Sequence, residues 1–225
     1  MHPLDDPVWN ALGSAHAHMS ASNARARRYR PEYTRIAALS DASAESYGAL
    51  AELGSRGETL FHIAQAVALP EPWRLVREGM MAQMVHDGSP MPAARLDGIE
   101  VLGERDAAAM VDLAELTRPG PFAQRTHAFG GYVGIREGER LVAMAGQRMA
   151  VPGFREVSAV CTHPDHRGRG HARALMLRVM AGIASRGETP FLHVEDHNAA
   201  AKQIYERLGF RQRAVFLLRV IEMAG

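Results

Sequence analysis

A chain of 225 residues is long enough for one large or two small domains with a buried core, and 47% hydrophobic and 23% charged residues exclude a disordered tail or a coiled coil. Its 26 basic and 25 acidic residues leave a formal charge of +1, which excludes a global field for nucleic acid or an anionic membrane, so any anion site is local. A lone cysteine, Cys161, excludes intramolecular disulfides; the opening MHPLDDPVWN resembles no signal peptide and no stretch reads as a membrane span, so the expected location is cytoplasmic.

Residues 1 to 35 show little periodicity and carry Arg25, Arg27, Arg28, Arg30 and Arg35, read as a solvated face. Ile36 to Leu53 can be laid without gaps on Ile99 to Leu116, with seven of eighteen positions identical. Both copies read as a short strand, a turn and an amphipathic helix, which suggests a partial duplication. Pro70, Pro72, Pro90 and Pro92 punctuate the apolar pieces between them, and DGSPMPAAR at 87 to 95 is the best linker. The expected domains are therefore 1–95 and 96–225.

The second half predicts a strand near Tyr132 to Arg136, the turn EGE, and a strand from Leu141 to about Met149. Glu156 to Thr162 is rich in β-formers and leads into the loop HPDHRGRG. From Ala172, the apolar residues Leu175, Met176, Val179, Met180 and Ile183 follow helical spacing up to Arg186 and Gly187. A strand at Pro190 to Val194 precedes a helix capped by Asn198, with Ala201, Ile204, Tyr205 and Leu208 on one face and Gly209 as its stop. Strands near Phe210 and from Ala214 to Ile221 close the chain.

The order strand, Arg167, Gly168, Arg169, Gly170, His171, Ala172, helix aims unpaired backbone N–H groups at one point, where phosphate oxygens bind. The two glycines permit close approach, and the arginines add charge where the helix dipole is already positive. From His163 to Arg178, Arg167, Arg169, Arg173 and Arg178 stand against Asp165 alone. GxxxxGK[ST] is absent, and GRGHAR lacks the third glycine of a dinucleotide loop.

The loop resembles the coenzyme A pyrophosphate loop of the GNAT acyltransferase superfamily, with Arg167, Gly170 and Ala172 matching its pattern. VCT followed by HP, and then NAAAKQIYERLGF with Asn198, Tyr205, Gly209 and Phe210, extend the resemblance over residues 97 to 222. The strings VCTHPDHRGRG and PFLHV resemble the glycine N-acyltransferase-like branch. The resemblance implies an α/β fold with a mixed, mostly antiparallel twisted sheet flanked by helices, the N-terminal half being a degenerate half-copy that shapes the acceptor pocket or a dimer surface. It implies transfer of an acetyl or other acyl group from acetyl-CoA, as co-substrate, to a small-molecule or peptide amine in a ternary complex; charge, hydropathy and histidine spacing lead to the further expectation that no nucleic acid, membrane or metal is involved.

In that family the strand before the loop splays from its neighbour, which implies that backbone groups of Val160, Cys161 and Thr162 hold the pantetheine arm and polarise the thioester carbonyl. Arg167, Gly168, Arg169, Gly170, His171 and Ala172 would hold the pyrophosphate. Tyr205 would protonate the leaving thiolate, its alternative being a core tyrosine. Asn198 would bond the pantetheine, cap its helix, or do both. Motif position leaves the general base open: Glu156 is the first candidate, because strand alternation puts it on the face of Ser158 and Val160, with Glu195 and His193 as alternatives. Rival readings are a noncatalytic acyl-CoA-binding module, a general nucleotide binder, a Cys161 nucleophile with His163 or His193, and a zinc site, whose histidine spacing is wrong.

Overall fold

A computed structural model describes residues 2–64, 67–92 and 97–224. The domain boundary expected near residue 95 lies outside the described residues. The strands are β1 (Ser20–Ser22), β2 (Ala26–Tyr29), β3 (Ile36–Leu39), β4 (Thr59–Ala64), β5 (Trp73–His86), β6 (Ile99–Val101), β7 (Val133–Glu137), β8 (Arg140–Val151), β9 (Phe154–Thr162), β10 (Thr189–Glu195) and β11 (Phe210–Met223). The helices are α1 (Pro7–Leu12), α2 (Ala44–Glu52), α3 (Ala107–Thr117), α4 (His171–Ala184) and α5 (Ala199–Arg207). No described helix is long and apolar enough to cross a membrane.

All strands join one mostly antiparallel sheet in the order β1-β2-β3-β4-β11-β5-β10-β9-β8-β7-β6. The halves of the chain are interleaved in it. β5, from the first half, lies between β10 and β11, and β11, from the second, lies between β4 and β5. The two short strands expected at the end of the chain are this one strand, with a register shift between Gln212 and Ala214.

Side-chain alternation along β8 supplies two cores. Met144 faces Leu4, Val8, Met110 and Leu113 of the α1 and α3 layer, whereas Ala143 and Ala145 face Leu175, Met176, Val179 and Met180 of α4. The apolar spacing read in α4 is thus its buried stripe. A third core joins Tyr47 and Leu50 of α2 to Leu60, Trp73 and Ile221.

The arginine run of residues 25 to 35 divides, rather than forming one solvated face. Arg28 is 2% exposed and ion-paired with Glu58, while Arg27 stacks over Trp9 at 3.9 Å. Sequence patterns do not reveal a partner 30 residues away, so the solvated-face reading fails for Arg28.

Both aligned copies form strand then helix, β3 with α2 and β6 with α3, but they occupy different places. β6 is an edge strand, whereas β3 is antiparallel to β2 and parallel to β4. By pairing, β3 corresponds to β9, which is antiparallel to β8 and parallel to β10.

Candidate active site

β9 and β10 pair only between Phe154–Glu156 and Thr189–Phe191, and past that point they part. β9 stays bonded to β8 on its other side as far as Thr162. Its free edge therefore offers backbone groups to the wedge between the strands. Within this stretch Ala159 adopts φ 52 and the register with β8 slips between Met144 and Gly146, an inserted residue of the bulge type.

That bulge overturns strict alternation. Val157 and Val160 both pack toward α4, while Ala159 and Cys161 face the α1 and α3 layer. Glu156 and Val160 consequently lie on opposite faces, not on the shared face expected from a regular strand.

Two cavities open in the wedge, and both are lined by Val160 and Pro119. The first, of about 580 Å³, is lined by Val160, Cys161, Thr162, Arg167, Gly168, Gly170, His171 and Ala172 of the expected site. His166, Arg173 and Arg207, none of them among the expected site residues, line it too. Arg173 was visible only as one charge in the basic run. Arg169 does not line the cavity; its guanidinium turns to Glu137 at 3.2 Å.

The loop is shaped for an anion. Gly168 and Gly170 have φ +77 and +80, a region that L side chains enter only with strain, and a Cβ on either would meet nothing within 4 Å. The space before the loop is thus open, and Gly170 caps α4, whose first N–H groups have no partner within the helix.

The second cavity, of about 650 Å³, is lined by Tyr205, Asn198, His193, Glu195 and residues of both halves, including Ile36, Phe61 and His62. Asn198 accepts from Ala201 N–H at 3.1 Å, so the expected cap exists, and the same residue lines the cavity. Tyr205 packs against Phe210, and burial raises its phenol pKa. Burial likewise pushes the Cys161 thiol up to about 11, which leaves it a poor nucleophile at neutral pH.

Glu156 lines neither cavity. It is 1% exposed and lies behind Arg148, which donates from Nε at 2.7 Å and Nη2 at 2.6 Å, and behind His193, whose Nδ1 is 2.8 Å away. Burial alone would raise its pKa, but the Arg148 guanidinium, with a hydrogen bond from His193, pulls it down to about 2. A carboxylate so paired is a weak base.

Gln83 fixes the His193 tautomer. Its Oε1 accepts from Arg213 at 3.0 Å, so its amide NH₂ faces Leu4 O at 3.0 Å and His193 Nε2 at 3.2 Å. Nε2 is then the acceptor, and Nδ1 carries the proton given to Glu156. The line Arg148, Glu156, His193, Gln83, Arg213 crosses the five adjacent strands β8, β9, β10, β5 and β11.

The FR47-like protein family matches residues 132–217. A crystal structure from Novosphingobium aromaticivorans, assigned to the GNAT acetyltransferases, is 39% identical over 100% of both chains, with a TM-score of 0.92. The chain belongs to the GNAT family. A GCN5-related N-acetyltransferase from Kribbella flavida, 18% identical over 96% of both chains with a TM-score of 0.59, shares the fold. Mycothiol acetyltransferase of Thermobispora bispora is 43% identical over 61 residues, 27% of this chain and only 21% of that protein's length. GNAT acetyltransferases take their acyl group from acyl-CoA, and the open glycine loop, the unpaired N–H groups and the flanking arginines fit its pyrophosphate.

Proposed function

We propose that this GNAT protein transfers an acetyl group from acetyl-CoA to a primary amine by direct attack, with both substrates bound at once. The observation that carries this reading is the junction of the two cavities at Val160 and Pro119, beside Tyr205. One cavity suits the nucleotide and the other an acceptor, so no covalent relay through the chain is needed.

Acetyl-CoA supplies the activated thioester. Arg167 and the loop N–H groups from Gly168 to Ala172, the backbone N–H of Arg169 among them, hold its pyrophosphate. Backbone groups of Val160, Cys161 and Thr162 on the free edge of β9 align the pantetheine and polarise the carbonyl, and the Asn198 amide adds a polar contact. Tyr205, kept protonated by burial, gives its proton to the departing thiolate. Glu195, the only carboxylate lining the acceptor cavity among the described residues, takes the amine proton: its pair with Arg77 is a single, solvent-exposed contact at 2.7 Å, unlike the buried two-pronged grip on Glu156, which orients His193 from behind.

The N-terminal half is a half-copy that walls the acceptor cavity and binds no second nucleotide. At the turn before α2, Asp41 accepts from Ser43 N–H at 2.9 Å and Ser46 Oγ at 2.7 Å, so a carboxylate fills the place corresponding to the phosphate loop.

Thiol release from acetyl-CoA with a panel of amines tests the reading. Tyr205→Phe should lower kcat by about 100-fold or more with little change in KM for acetyl-CoA. No thiol release from the wild type, with acetyl-CoA still raising its melting temperature, would make it a binding module instead.

A further inference from the structure

Charge around the acceptor cavity does not balance. Among the described residues, four with ionic side chains line it: Arg77, Arg118, Arg148 and Glu195. Arg77 pairs with Glu195 at 2.7 Å, and Arg148 with Glu156 at 2.6 Å. Arg118 has no carboxylate within 4.0 Å among the described residues. Of the two imidazoles, burial pulls His62 down to about 4, and His193 is taken up by Glu156 at 2.8 Å and Gln83 at 3.2 Å.

The backbone of Arg118 makes the same point independently. It terminates α3 at φ 50 and ψ 55, a left-handed position that glycine fills without strain. The exposed Arg118 lines both this cavity, whose apolar lining includes Ile36, Phe61, Met81, Met149 and Val220, and a neighbouring one. A strained conformation at the mouth of a substrate cavity is the kind retained for a ligand.

We propose that the acyl acceptor is an amine on an apolar scaffold that also carries a carboxylate, and that Arg118 binds this carboxylate. The inference rests on the acyl-transfer reading above. A guanidinium fork matches a carboxylate through two parallel N–H donors, and the apolar walls bury the scaffold between that anchor and the amine.

The test compares amines that differ by one group: phenylalanine with phenethylamine, and leucine with isopentylamine, each assayed for thiol release from acetyl-CoA. The wild type should favour the carboxylated member at least tenfold in kcat/KM. Arg118→Gly should remove that preference through KM while melting no lower than the wild type, because glycine accepts the left-handed backbone. Arg118→Lys should restore part of it. A 1-amino-2-phenylethylphosphonate arm separates a carboxylate site from a general oxyanion site; preference for the phosphonate would overturn the assignment. So would equal rates for each pair, a preference unchanged in Arg118→Gly, or no turnover of either acid while acetyl-CoA still raises the melting temperature. Without any acetyl-CoA shift, the acyl-transfer reading itself fails and takes this inference with it.

Discussion

Arg148 grips both carboxylate oxygens of Glu156, from Nε at 2.7 Å and Nη2 at 2.6 Å, directly beneath the acceptor cavity. Removing one partner strands the other's charge in a buried site. Glu156→Gln should therefore cost about 3 kcal/mol in urea unfolding, and a Glu156→Leu/Arg148→Met pair should recover most of it. Equal losses in the single and double variants would refute this account.

The same pair sets an acid limit. The folded pKa of Glu156, about 2, lies below the ordinary 4.5, so its stabilisation is complete above about pH 4.5 and is lost as pH falls toward 2. Unfolding free energy measured from pH 5 to pH 2.5 should fall more steeply for the wild type than for Glu156→Gln. Parallel curves would assign the acid sensitivity elsewhere.

Gly170→Glu should abolish the rise in melting temperature with acetyl-CoA, because it brings a negative charge to the phosphate loop and strains a φ +80 position. Gly170→Asn tolerates that backbone better and adds no charge, so it should keep much of the shift. ATP should produce no comparable shift in the wild type.

Cys161 lines the nucleotide cavity with its thiol pKa raised to about 11 by burial. Iodoacetamide at pH 7.5 should label it slowly, and acetyl-CoA should slow labelling further. Cys161→Ser should retain acetyl transfer, whereas its complete loss would revive a covalent route.

The phosphate loop was legible because its chemistry is local: Arg167 to Ala172 are consecutive, and the flanking strand and helix carry clear periods of two and 3.6. The position of Glu156 was not. One inserted residue at Ala159 reverses the faces of β9, and no composition signal marks an alanine at φ 52. Arg28 and Arg118 were illegible for a related reason, since the significance of each depends on distant segments: Glu58 in one case, and the apolar walls from β3, β4 and β8 in the other.

The placement of β11 between β4 and β5 has a consequence for synthesis. Residues 59–64 must find their neighbours at 217–222, which leave the ribosome later by on the order of 150 residues, or about 8–30 s at ordinary translation rates. Over that interval β4 and β5 are two strands with an unfilled slot between them, and their exposed edges are the segments most in need of a chaperone. Splitting the gene near residue 95 would make this interval permanent. Two separately expressed fragments should be insoluble alone and become soluble when produced together.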